Sequence, residues 1–392
     1  MNKEIESIIR ENVDAGLFAG VSTLILYKGE EIFYYDYGYA DIEAGKAMSR
    51  DTIIRLYSMT KPITAVGALQ LFEKGRLDMW DRVSDYLPEY ANLKVYDSDG
   101  SIRDAKRPLF IRDLLNMTSG IPYPENWEGC SRSGRDMDKL LEPIIRSIGR
   151  GERITTREIV RSIAEVPLVF DPGERWMYGL SADILGAIIE IISGSSLDEY
   201  FRENIFEPLQ MDDTGFRLPK DKLGRFAMSY DYIDSHLVPC DETHLGEYYL
   251  DDVKPGELYE SAGAGLYSTI DDYGTFARML VEGGKLGDER LLGSRTVDFM
   301  AANALRPEQA GGLDWESNRG YGYGCLTRTL IDPMYSGTIA PVGEFGWDGW
   351  TGNYCSIDPV NDLVILIFLQ RRGGGADRMI RAIRTITYST ID

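Results

Sequence analysis

The spacing of apolar residues changes along the chain and divides it into elements. Residues 3–15 follow a helical repeat and predict an amphipathic helix. From 20 to 40 the pattern becomes strand-like. Val21–Tyr27 and Ile32–Tyr37 flank the turn Lys28-Gly29-Glu30-Glu31, which predicts a β-hairpin. A short apolar stretch, Ile53–Tyr57, leads into a helical pattern over Ile63–Phe72 that runs to about Lys74 and stops at Gly75. Residues 78–165 mix helices with loops, with turn signals at Asp97-Ser98-Asp99-Gly100 and Ser119-Gly120-Ile121-Pro122. Helices follow at about 181–192, 197–206 and 271–283, the second ending before Pro208. Residues 225–260 are aromatic and acidic and read as a wall or lid of loops and short strands. Asn353–Ile357 and Leu363–Phe368 predict a second hairpin, with a final helix at about 376–387. Strands at both ends and helices between them predict an α+β fold. Its antiparallel sheet draws strands from both ends of the chain and is flanked by helices, beside a mostly helical second domain. The expected division is 1–75 with 260–392 for the sheet domain, and 76–259 for the helical domain with lid-like insertions.

Composition narrows the function classes. Of 392 residues, 43% are hydrophobic and 27% charged, which are globular values. The net charge of −21 argues against nucleic acid and anionic membrane as partners. Cys130, Cys240, Cys325 and Cys355 are widely spaced and show no Cys-x-x-Cys metal or redox pattern, as expected of reduced thiols in a cytoplasmic protein. No apolar signal segment is read at the N-terminus, and the longest apolar runs are too short to span a bilayer. With only His236 and His244 present, histidine chemistry and a His-rich metal site are both constrained. Acidic doublets such as Asp212-Asp213 and Asp271-Asp272 read as caps, turns or solvated faces. The expectation is no metal, no cofactor and a small-molecule substrate, with the oligomeric state open.

Ser58-Met59-Thr60-Lys61 is the only Ser-x-x-Lys in the chain, and it opens the 63–72 helical pattern with Pro62 in its first turn. Side chains three apart share a helix face, so the Ser58 hydroxyl and the Lys61 amine can meet. A serine needs a neighbouring base to become a nucleophile, and Ser-x-x-Lys supplies one without histidine. The Gly-x-Ser-x-Gly elbow is absent. A purely local alternative makes Ser58 a helix cap and Lys61 a solvated charge. A cation in the first turn, however, opposes the helix dipole.

Further segments occur in order: Leu114-Leu115-Asn116-Met117-Thr118-Ser119-Gly120-Ile121, Phe170-Asp171-Pro172-Gly173-Glu174-Arg175-Trp176-Met177-Tyr178, Pro208–Thr214 and Ala262–Asp272. With Ser58–Ile63 they resemble the serine β-lactamase and penicillin-binding-protein superfamily over nearly the whole chain. Within it the chain is similar to the class C-like branch that includes family VIII carboxylesterases. Met117 stands where that family usually has histidine.

The resemblance implies a β-lactamase-like fold, with Ser58, Lys61 and Tyr178 as catalytic residues and the Tyr178 phenol beside the other two. Free Lys and Tyr titrate at about 10.4 and about 10, so a base near neutrality needs a shift of roughly three units, or about 4 kcal/mol. Whether Lys61 or Tyr178 takes the Ser58 proton stays open. Backbone amides of Ser58 and Trp350 are the implied oxyanion donors. Tyr123, Leu180, Trp347, Asp348 and Gly349 are the candidate substrate-binding residues, and Tyr123–Trp127, Tyr248-Tyr249 and Trp347–Trp350 are expected to line an apolar cleft.

Two departures from the family shape the expected chemistry. Leu180 removes an amide side chain, and Trp347 replaces a cation that meets β-lactam or peptide carboxylates. Arg328 or Arg371 is a conceivable replacement cation. The implied activity is an esterase working through an acyl-enzyme on small or medium esters. Alternatives are an acyltransferase, an amidase or D-aminopeptidase, a β-lactamase or DD-peptidase, and a catalytically silent binding scaffold.

Overall fold

In the computed structural model the described residues are 1–240, the backbone of 249–250, 254–313, 315–374 and 377–391. Eight described strands form one antiparallel sheet. The N-terminal part of the chain supplies β1 (Gly20–Tyr27), β2 (Glu30–Asp41) and β3 (Lys46–Ala47). The C-terminal part supplies β4 (Tyr321–Tyr323), β5 (Arg328–Leu330), β6 (Phe345–Gly346), β7 (Tyr354–Asp358) and β8 (Leu363–Leu369). The order is β4-β5-β6-β7-β8-β1-β2-β3, so the two parts of the chain meet at the β8–β1 pair, with Val21 opposite Leu369. Lys28 and Gly29 close the first hairpin with φ of 51° and 77°, a two-residue loop whose twist suits the flanking strands.

Helices cover both faces. On one side, α1 (Asn2–Asp14) and the C-terminal helix Arg378–Tyr388 lay Ile5, Ile9, Ile380 and Ile383 against Val21, Ile25, Ile365 and Ile367. On the other, α2 (Thr60–Glu73) and a helix at Ile270–Val281 join a larger core with Leu24, Leu366 and Phe368. Every residue of α2 from Thr60 to Leu71 is buried, which accounts for a helix that is apolar nearly all round. The helical middle includes α3 (Arg132–Gly149) and α4 (Ser181–Ser193), the latter buried from Ser181 to Ile189.

Two elements differ from the sequence reading. Ser58 does not begin the α-helix; it sits in a tight 3₁₀ turn, Tyr57–Met59, just before α2. The helix expected over 197–206 is α-helical only through Phe201 and widens into a π-turn at Arg202–Phe206. Pro208 has no N–H to give the Asn204 carbonyl, which instead accepts from Gln70 Nε2 at 2.9 Å. The 225–260 region contains a hairpin, Tyr230–Ile233 with His236–Pro239, while His244 and Tyr248 lie outside the described residues. Among the described residues no helix is long and apolar enough to cross a membrane.

Candidate active site

The turn that carries Ser58 is shaped by strain and by packing. Tyr57 has φ of 47°, a left-handed conformation that costs a non-glycine residue about 1–2 kcal/mol. Its ring meets the edge of Trp350, with centroids 5.6 Å apart and planes at 89°. Ser58 is half-buried and borders a cavity of about 630 Å³. One helical turn on, Lys61 is 0% exposed. Its Nζ reaches Ser58 Oγ at 3.1 Å, Tyr123 Oη at 2.9 Å and the Gly263 carbonyl at 2.7 Å. A solvated first-turn charge is thereby excluded.

This arrangement satisfies both protonation states of Lys61. The ammonium has three N–H donors and three acceptors facing it. The neutral amine keeps two donors, for Gly263 and Tyr123, and turns its lone pair on the Ser58 hydroxyl. Burial disfavours the cation, but contact with the Tyr123 and Tyr178 phenols outweighs this and holds Lys61 above the ordinary lysine value. Burial also raises the Tyr123 phenol, and proximity to Lys61 opposes that rise.

Two loops bring the phenols together. A Cβ on Gly179 would stand 1.9 Å from the Ile121 carbonyl, so only glycine lets the 121–123 and 178–180 backbones touch. Ser119 and Ser181 hydroxyls bond across the same junction at 2.8 Å. The Tyr123 and Tyr178 rings are therefore neighbours, 5.3 Å between centroids. The Tyr178 ring centroid lies 4.7 Å from Lys61 Nζ, and its hydroxyl accepts from Trp347 Nε1 at 2.9 Å. Tyr123, read from the sequence as a substrate-binding residue in the wall of the cleft, also accepts a hydrogen bond from Lys61 through its hydroxyl.

The turn after β6 carries Trp347, Asp348 and Gly349, all bordering the cavity together with Leu180, Tyr123 and Trp350. Gly349 presses on the nucleophile turn: a Cβ there would lie 2.6 Å from the Leu56 carbonyl. Asn353, 0% exposed and missed in the sequence reading, staples this arrangement. Its Nδ2 donates to the Arg55 carbonyl, its carbonyl accepts from Gly349 N, and its Oδ1 accepts from Leu369 N. Nothing but its place at the head of an apolar strand marked it.

Asp348 borders the cavity, but its carboxylate is paired with Arg328 at 2.6 Å instead of being left for substrate. Arg328 is 1% exposed, and Arg371 binds Asp377 and the Leu17 carbonyl, so neither stands in for the missing cation. Arg372 stacks over Trp350 at 5.1 Å but is itself bound to Asp231. Tyr248 and the side chain of Tyr249 lie outside the described residues. His236 is exposed and bonds the Asp234 carbonyl, away from the cavity. Among the described residues, no group of three or more His, Cys, Asp or Glu could hold a metal ion.

A family model described as Beta-lactamase matches residues 5–387. The chain belongs to the β-lactamase family. Among relatives of this β-lactamase-family chain, protein Rv1367c of Mycobacterium tuberculosis is 32% identical over 382 residues, covering 93% of this chain and 89% of that protein. Esterase EstB of Burkholderia gladioli is 31% identical over 367 residues, covering 89% and 85%. The solved structure of EstCE1, described as a hydrolase with promiscuous acyltransferase activity, superposes with a TM-score of 0.81 at 24% identity over 98% of each chain. At that identity the likeness shows the β-lactamase-like fold alone.

Proposed function

We propose that this protein is a serine carboxylesterase acting on small or medium, uncharged esters. The observation that carries the reading is Lys61 Nζ, buried and held 3.1 Å from the Ser58 hydroxyl at the edge of an aromatic cavity. The 31% identity to an esterase supports it.

In the proposed reaction Lys61, Tyr123 and Tyr178 hold their protons as one titrating unit. In molecules where that unit has lost one proton, Ser58 passes its own proton into it through Nζ while Oγ bonds the ester carbonyl carbon. The carbonyl oxygen becomes an oxyanion directed at the backbone amides of Ser58 and Trp350. The unit then protonates the departing alcohol, leaving Ser58 acylated. Water attacks the acyl carbon with the same groups in reverse order, releasing the acid and restoring the Ser58 hydroxyl.

The cavity favours uncharged substrates. Trp347 takes the place of the family's cation, and Arg328 and Arg371 are engaged elsewhere. A carboxylate desolvated there without a partner costs on the order of several kcal/mol. We expect kcat/KM for p-nitrophenyl butyrate to exceed that for penicillins and D-Ala-D-Ala peptides by at least about a hundredfold, which needs only ~2.7 kcal/mol of discrimination. A side-by-side kinetic comparison decides this, and efficient turnover of either carboxylate-bearing substrate overturns the esterase reading. Fluorophosphonate labelling located by mass spectrometry tests the nucleophile separately: the adduct is expected on Ser58, and its absence from Ser58→Ala.

A further inference from the structure

Lys61 is fixed by the Gly263 carbonyl, which raises the question of what fixes Gly263. On α4, one turn beyond Leu180, Asp183 is 1% exposed and borders the cavity. Its Oδ1 accepts three hydrogen bonds, from Tyr259 Oη at 2.6 Å, Ser261 Oγ at 2.7 Å and Gly263 N at 3.2 Å. All three donors are neutral groups, and two of them are hydroxyls. A Cβ on Gly263 would meet Asp183 Oδ2 at 2.7 Å, so the fit is close on the other oxygen too. The next carbonyl along, that of Ala262, accepts from Thr64 Oγ1 of α2 at 2.7 Å, which locks the same segment to the helix bearing Lys61.

We infer that Asp183 is the positioning residue for Lys61: it clamps the 259–263 segment so that the Gly263 carbonyl holds Nζ against Ser58, and its negative charge favours the ammonium formed when Ser58 gives up its proton. The sequence offers a reason for this device. Leu180 removes the amide that the family resemblance places two residues after Tyr178, and Asp183 acts from the same helix face one turn on. The arrangement follows the general pattern of a nucleophile, a base and a third group that orients the base. The other titratable groups facing Lys61 are Ser58, Tyr123 and Tyr178. Tyr259 faces Asp183 directly, and Asp183 raises the Tyr123, Tyr90 and Tyr259 phenols further than burial does alone.

The inference rests on the Ser58–Lys61 reading, and its test separates the two. The rate of fluorophosphonate labelling at Ser58 and kcat/KM for p-nitrophenyl butyrate are measured across pH for wild type, Asp183→Asn and Asp183→Glu, each normalised to labelled active sites. Asp183→Asn is expected to lower kcat at least about tenfold with KM changed less than about threefold. It is also expected to move the ascending limb of both pH profiles to lower pH by about half a unit or more, because the Lys61 cation loses its counter-charge. Asp183→Glu should restore the position of the limb. Loss of activity with an unmoved limb, or unchanged activity per labelled site, overturns the inference. If wild type labels at Ser58 but leaves butyrate intact, the ester reading fails and the labelling profile still decides the role of Asp183. Should Asp183→Asn not fold, the double variant Tyr259→Phe, Ser261→Ala removes two of the three donors. A labelling rate within about twofold of wild type there would equally overturn the clamp.

Discussion

At the scale of single residues, the hydroxyl of Tyr123 alters the chemistry expected of Lys61. It lies 2.9 Å from Nζ, whereas the Tyr178 hydroxyl is engaged by Trp347. Tyr123→Phe is therefore expected to lower kcat for butyrate ester at least about tenfold, and Lys61→Ala and Tyr178→Phe by the ~10²–10⁴ of a positioned acid–base group. Replacing His236 and His244 together should cost less than about tenfold; steady-state kinetics on the four variants would expose a Ser-His enzyme if that ordering reversed. Ser58 and Lys61 could be paired from sequence because three residues on a helix fix their relation. Tyr123 could not be paired with Lys61, since the contact spans 62 positions and depends on two loops touching at Gly179. Asp183 and Asn353 were equally hidden, because each bonds groups distant in sequence: Asp183 reaches Tyr259, Ser261 and Gly263, and Asn353 reaches the Arg55 carbonyl.

At the scale of elements, the site is an assembly of turns held between rigid supports. The 121–123 and 178–180 segments meet where a Cβ on Gly179 would stand 1.9 Å from the Ile121 carbonyl. Gly179→Ala must push them apart, separating Tyr123 from Tyr178. We expect a loss of about 1–3 kcal/mol of stability, as for an overpacked interior, and at least about a tenfold fall in kcat. Urea unfolding and kinetics on the same preparation check this, and a variant with wild-type kcat would mean that the phenols need not adjoin. Helices and hairpins were legible to within a few residues because their apolar periods are strong. The 3₁₀ turn at Ser58 and the π-turn at Arg202–Phe206 were not, since both arise from tertiary contacts and from the missing N–H of Pro208. Trp347–Gly349 was legible as a segment, but the pairing of Asp348 with Arg328 joins the turn after β6 to β5 and could not be read from either.

At the scale of the whole molecule, one buried and two half-buried acids shape the response to pH. Burial pushes Glu190 up to about 8, aided by the neighbouring Glu260 charge, Glu260 up to about 7, and Asp272 up to about 6. These values lie above those of unfolded acids, near about 4, so the folded chain binds more protons and loses stability as pH rises from about 4 to about 8. The −21 net charge adds repulsion in the same direction. Asp213, held low by Arg225, acts oppositely and gives up its contribution only in acid. Scanning calorimetry should therefore find a higher Tm at pH 5.5 than at pH 8.5, with Glu190→Gln reducing the difference; equal values would contradict it. The α+β plan was legible because strand patterns cluster at both ends of the chain, and the seam between them has a consequence during synthesis. Strand β1 pairs with β8, and the two leave the ribosome on the order of tens of seconds apart at ordinary elongation rates. Throughout that interval β1 is an unpaired apolar edge, open to other nascent chains. Chaperone demand should therefore be set by the wait for the last strand, and a message truncated before β8 should yield aggregates although Ser58, Lys61, Tyr123 and Tyr178 have all been made.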